Sequence, residues 1–327
     1  MGTDILFDAL RTATGPTAAS YALLAIGLNM HFGYTGLLNF GQAGFMLIGA
    51  YGVAITVSTF GGPLWLGIIV GLLGALVLAL LLGIPTLRLR ADYLAITTIA
   101  AAEILRLVFR SSGAEPVTGG VFGLRQFGGA FFELNPIPPG RYLGPLALSQ
   151  GRAWVMLVGW TLVVLMTGLL WSLMRSPWGR VIKSIREDED AARSLGKNVF
   201  SYKMQSLMLG GAIGALGGAL FAISLQTVQP DTFLPQVTFY AFAILILGGT
   251  ASTWGPALGA IIFWFLIGSL TSGLRRLSDA GSLPDFFGAN AVGATTLTFV
   301  GLLIMLLMIY RPQGILGDKK ELQLDAS

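Results

Sequence analysis

Glu103 is the one acid set well inside an apolar block of this chain. A carboxylate there could take up a proton or hold a cation, the chemistry by which ion-coupled carriers work. Arg106 and Arg110 follow three and seven residues later on the same helical face, so a Glu103–Arg106 ion pair at i,i+3 accounts for the acid without proton coupling. Asn39 and Gln42 stand in a glycine-rich stretch, where their amides could line an aqueous route for a zwitterion or satisfy local backbone groups. His31, the single histidine, ends an apolar block and reads as packed or interfacial rather than as a ligand. One imidazole and no cysteine leave too few donors for a typical zinc site, and they exclude disulfides and thiol catalysis. No P-loop, His-Glu-x-x-His or Gly-x-Ser-x-Gly sequence occurs. No catalytic residue, metal or cofactor is therefore expected in this chain, and any ATP must be handled by another.

The elements that must position these residues are membrane helices. Of 327 residues, 54% are hydrophobic and only 11% charged, and mean hydropathy is +0.75, whereas soluble proteins carry about 25% charged residues. The apolar residues fall in blocks of roughly 18 to 24, the length a helix needs to cross about 30 Å of hydrocarbon, which also excludes a β-barrel. Spans are expected at about 15–33, 42–60, 63–84, 92–110, 153–174, 202–225, 237–250, 254–272 and 290–310. That is about nine (8–10) in one all-α integral membrane protein, a polytopic transmembrane helix bundle forming a single domain over residues 1–327. The first block lacks the basic flank and small-residue cleavage site of a signal peptide and is read as a retained span. GYTGLLNFGQAGF, Gly33 to Phe45, breaks two blocks, which at membrane depth is tolerable only beside protein or a water-filled cavity. The seventh block is short for a full crossing. Among 45 glycines, Gly210, Gly214 and Gly218, with Gly67/Gly71 and Gly255/Gly259, repeat at intervals of four and read as helix-packing seams, not sites.

Lys and Arg counts set the orientation. The stretch from Arg175 to Lys203 holds seven, and with Arg88, Arg90, Arg311, Lys319 and Lys320 one side collects twelve against eight. This places the loop at about 175–203 and the tail 311–327 in the cytoplasm, with the N-terminus and a long loop at about 111–152 outside. That loop, with Pro116, Pro136, Pro138, Pro139 and Pro145, is either a lid over helix ends or a docking surface for an external partner. The net charge of +4 describes loops facing membrane lipid, so no nucleic acid is implied.

SIREDEDAARSLG, Ser184 to Gly196, interrupts this apolar chain with charge. Ser184 and Glu187 have capping-box spacing, Glu187, Asp188, Glu189 and Asp190 suit the first turns, and Arg193 and Gly196 suit the end. A helix of two to three turns outside the membrane is predicted, with Ile185, Ala192, Leu195 and Val199 on one apolar face. A helix lying on lipid would carry Lys and Arg on its polar face, but here four acids face Arg186 and Arg193, so a protein partner is the better reading.

PWGRVIKSIREDEDAARSLGKNVFSYK (Pro177 to Lys203) resembles the cytoplasmic loop of LivM-type permease subunits of branched-chain amino-acid ABC transporters. So do, in the same order, GLNMHFGYTGLLNFGQAGFMLIGAY (Gly27 to Tyr51), PTLRLRADYLAITTIAAAEILRLVF (Pro85 to Phe109), LILGGTASTWGPALGA (Leu245 to Ala260) and RPQGILG (Arg311 to Gly317). The resemblance implies an ABC importer permease of the bacterial inner membrane, multi-pass, with ATP and Mg bound by separate ATP-binding subunits. It also implies a sister permease subunit in a heterodimer and an external substrate-binding protein. By it Ser184, Arg186, Glu187, Asp188, Asp190, Ala191, Ala192, Leu195 and Gly196 would form the ATPase-docking segment. The implied cargo is leucine, isoleucine and valine; similar relatives import urea, short amides or other amino acids, and an ion-coupled secondary transporter is the competing class.

Overall fold

The computed structural model describes residues 2–88, 91–142, 148–279, 289–311 and 313–317. A helix that the apolar blocks do not announce, α1 (Gly2–Ala13), precedes the first span. The spans then begin where they are predicted: α2 (Pro16–Leu28), prolonged by a π-helical turn Asn29–Tyr34, and α3 (Gln42–Ala54), prolonged by a second, Ile55–Thr59. Next come α4 (Leu64–Thr86) and α5 (Ala91–Arg110). The long loop carries two short helices, α6 (Glu115–Thr118) and α7 (Gly129–Glu133), and leads into α8 (Gln150–Arg175). Two helices rich in charge, α9 (Pro177–Glu187) and α10 (Glu189–Ser194), connect it to α11 (Val199–Leu225). The chain ends through α12 (Pro235–Gly248), α13 (Gly255–Asp279) and α14 (Ala289–Tyr310).

Among the described residues five helices are long and apolar enough to cross a membrane unaided: Gln42–Thr59, Leu64–Thr86, Gln150–Arg175, Val199–Leu225 and Gly255–Ser278. The seventh segment, α12, has 14 residues, about 21 Å of helix, as short as its sequence suggests. α4 explains how so apolar a chain sorts its residues. Gly67, Gly71, Ala75 and Leu78 face protein, while Leu73, Val77, Leu81 and Ile84 stay exposed on the opposite side. Hydrocarbon solvates those side chains as well as protein does, so helices in lipid meet through small residues rather than large apolar ones.

α11 is the centre, packed against α2, α3 and α4. A Cβ at Gly217 would lie 2.8 Å from the Ser20 carbonyl oxygen of α2, and one at Gly214 2.6 Å from the Gln42 amide. Gly210 abuts the Gly27 carbonyl and Gly218 that of Met46. The same holds between α3 and α4, where a Cβ at Gly67 would meet Val53 Cα at 2.8 Å, and between α12 and α13, where one at Gly259 would meet Gly248 N at 2.9 Å. All three glycine seams are thus internal to this chain.

The long loop between α5 and α8 packs on neighbouring segments of the chain. Leu124–Arg125 pairs antiparallel with Thr227–Val228, and Arg141–Tyr142 with Leu148–Ser149. Phe127 and Phe131 are buried, Trp154 Nε1 donates to the Phe131 carbonyl at 3.0 Å, and Thr59 Oγ1 to that of Val117. Pro145, Arg90, Lys319 and Lys320, which enter the sequence-based topology, lie outside the described residues, as does most of the tail 311–327.

Candidate functional site

The charged segment around residues 184–196 folds differently from its sequence signature. Ser176 caps α9, its Oγ accepting the Gly179 N–H, and Pro177 fills the first helical turn, where its missing N–H costs nothing. Helix therefore starts well before Ser184, which lies inside α9 with its Oγ donating to the Val181 carbonyl at 2.9 Å. The capping box at Ser184 and Glu187 does not form. The chain breaks at Asp188, held extended at φ −153°, and its carboxylate accepts the Ala191 N–H at 2.9 Å to cap α10. Gly196, at φ +76°, closes α10 in the left-handed region glycine tolerates, as its position suggests. Asp188→Ala is expected to cost α10 about 1 kcal/mol and raise amide exchange across 189–196, with Ser184→Ala leaving it unchanged.

The break resets the helical phase, so the apolar face counted through it does not hold. Ile185, Ala192 and Val199 do cluster, with Val181 and Tyr202 against them. Leu195 does not join them and is 80% exposed. Glu187, Asp188, Asp190 and Ala191 are exposed as well, whereas Ala192 is buried. Glu189 and Asp190 pair with Arg193 at 2.9 and 3.2 Å, and Lys203 Nζ closes on the second Glu189 oxygen.

Arg186 turns inward instead. Its Nη1 donates to the Gly33 carbonyl at 2.6 Å, in the π-helical turn that ends the first span. Gly36, at φ +74°, lets the chain double back over the arginine stem, where a Cβ would sit 3.5 Å from Arg186 Cγ. From the same turn Asn29 reaches the α12–α13 connection, its Nδ2 donating to the Ser252 carbonyl and its Oδ1 accepting the Ala251 N–H, both at 2.9 Å. That connection is in turn held by Ile315 and Leu316, whose N–H groups donate to the Leu247 and Gly248 carbonyls. Four segments far apart in sequence are thus tied to one another at the α9 end of the bundle.

The glycine-rich break is held by polar groups that face protein. Asn39, Gln42 and His31 are fully buried. Asn39 Oδ1 accepts the Gly41 N–H at 2.9 Å, which fixes the amide so that Nδ2 donates to Gln42 Oε1 (3.1 Å) and His31 Nδ1 (3.0 Å). His31 Nε2 then carries the proton and donates to the Leu207 carbonyl at 3.1 Å. Gln42 Nε2 faces the Leu24 and Gly210 carbonyls. In this geometry the Asn39 and Gln42 amides and the His31 ring bond one another and nearby backbone groups.

Glu103 and Arg106 form the pair their spacing predicts, bidentate at 2.9 and 2.6 Å. Sequence reasoning missed the third member, Asp231, after α11, which bonds Arg106 Nη1 and pairs with Arg110 Nε at 3.3 Å. Nothing local joins residues 106 and 231; only the outer return of α11 brings them together. Two cations meet two carboxylates, so the cluster is neutral without a coupled ion. Because Arg106 is buried between two carboxylates that are part-exposed, Arg106→Gln should destabilise the outer end of α5 more than Glu103→Gln, read as the larger loss of Tm.

A family model described as branched-chain amino acid transport system / permease component matches residues 16–310. The chain is 33% identical over 317 residues to the high-affinity branched-chain amino acid transport system permease protein LivM of Escherichia coli, covering 90% of this chain and 67% of that protein. The probable branched-chain amino acid transport permease protein LivM of Methanocaldococcus jannaschii is 26% identical over 333 residues, covering 91% of each. A nucleoside ABC transporter permease protein, NupC, of Lactococcus lactis is 26% identical over 248 residues, 72% of this chain and 73% of its own.

Proposed function

The chain belongs to the branched-chain amino acid transport permease family, and from that premise we propose that it carries leucine, isoleucine and valine inward, driven by a separate ATP-binding subunit docked on α10. As a member it is a multi-pass permease subunit of an ABC transporter in the inner membrane. In the proposed assembly it works beside a sister permease and receives cargo from an external binding protein at the loop of about residues 111–152. Cargo selection rests mainly with that binding protein.

The observation that carries the reading is the division of labour in the cytoplasmic segment. Glu187, Asp188, Asp190, Ala191 and Leu195 point outward, an acidic surface around one exposed leucine suited to a protein cleft. Arg186 points inward to the first span. A push on α10 is passed through rigid α9 and Arg186 to the Gly33 carbonyl, and by Asn29 to the α12–α13 connection. Gly196 and Leu195 set the end of the docking helix. The neutral Glu103–Arg106–Asp231–Arg110 cluster supports ATP-driven rather than ion-coupled transport.

The test is uptake of labelled leucine at sub-micromolar concentration by cells with and without this gene, with isoleucine, valine, urea and a nucleoside as competitors. Loss on deletion, with competition by the amino acids alone, is expected. Competition by the nucleoside or urea instead would reassign the cargo. Uptake is further expected to survive collapse of the proton and sodium gradients and to stop on ATP depletion, and the reverse pattern would overturn the proposed drive.

A further inference from the structure

The ends of α1, α2, α8 and α13 frame an open cleft of about 770 Å³ at the far end of the bundle from α9. Three guanidinium groups line it: Arg11 from α1, Arg152 from α8 and Arg275 from α13. Asp8 is the one acid in the lining, and it already faces Arg276 at 3.6 Å. No ion pair engages Arg11, Arg152 or Arg275 among the described residues. Two donors of the lining, Arg11 Nε and Trp264 Nε1, are buried with no hydrogen-bond partner.

Arg152 and Arg275 are exposed and Arg11 is half-buried, and a site that gathers three cations against one already paired acid favours an anion. We propose that this cleft binds the phosphate of an anionic phospholipid headgroup. A phosphate offers several acceptor oxygens around one charge, which can answer two guanidinium forks and an indole N–H together. A free phosphate would leave most of the volume empty, while Phe132, Ile267 and Leu225 give the lining apolar surface suited to the glycerol end of a lipid. The site also sits at span ends, the level at which Arg and Trp meet headgroups.

Thermal unfolding of the delipidated full chain in detergent tests this, with short-chain phosphatidylglycerol, phosphatidylcholine of the same chain length, and inorganic phosphate as titrants. Phosphatidylglycerol is expected to raise Tm at roughly tenfold lower concentration than phosphatidylcholine, and millimolar phosphate to leave Tm unmoved. The double variant Arg11→Gln/Arg275→Gln should lose that preference. Trp264→Phe, which keeps the ring and removes only the N–H, should reduce it by several-fold, and serves if the double variant does not fold. Equal response to the two lipids, or a preference that persists in the variants, would overturn the site. A full shift with inorganic phosphate alone would overturn the lipid assignment.

Discussion

Arg186→Ala is expected to cut leucine uptake by roughly tenfold or more while the subunit still inserts and still co-purifies with its ATPase. Arg186 sits in α9, but its guanidinium is committed to the Gly33 carbonyl at 2.6 Å. A hydrogen bond from a charged donor contributes about 1.5–3 kcal/mol, and each 1.4 kcal/mol is about tenfold in an equilibrium. On the proposed mechanism, losing it uncouples α9 and α10 from the first span while leaving the exposed acids around Leu195 in place. Arg186→Lys should rescue partly, because an ammonium restores the charge but not the planar fork. Leu195→Asp should do the opposite of Arg186→Ala and abolish co-purification, since Leu195 is 80% exposed and joins none of the apolar clusters among the described residues. Wild-type uptake by Arg186→Ala would refute the transmission role. Loss of co-purification would place Arg186 in the docking surface instead.

Gly210→Val is expected to prevent accumulation of folded protein, and Gly168→Val to be tolerated. A Cβ at position 210 would enter the space of the His31 ring and the Gly27 carbonyl, whereas nothing lies within 4 Å of one at Gly168. Overpacking a core costs about 1–3 kcal/mol when side chains can shift. At Gly210 the neighbour is helix backbone, so the cost lies at or above the top of that range, and the His31–Leu207 bond is displaced as well. Membrane levels and Tm of the two variants are the readout, and equal accumulation would refute the central packing role of α11.

Much of this fold is legible in the sequence because the bilayer narrows the options. Each helix in lipid satisfies its own backbone hydrogen bonds, so a span is written in one continuous apolar block. The blocks therefore mark the helices closely, and four-residue glycine spacing marks where backbones meet. The Glu103–Arg106 pair is legible for the same local reason. The segment 184–196 differs from its local signals because the stronger helix start lies upstream, at Ser176–Pro177. Once α9 begins there, Ser184 is mid-helix and Asp188 is the first residue able to cap a new one. α1 escaped because it is short and amphipathic, and its place depends on α13, where a Cβ at Gly268 would lie 3.1 Å from Ala9 Cα.

The sequence alone determined that this is a polytopic helical membrane protein with an acidic segment between two of its spans. Both follow from composition and local spacing, which need no partner across the chain. Only the tertiary structure decided what each polar residue does. The Gly33 carbonyl meets Arg186 across 153 residues and Asn29 meets Ser252 across 223. In such pairs the bond is to backbone, which carries no residue-specific signal, and its geometry exists only after the helices have packed.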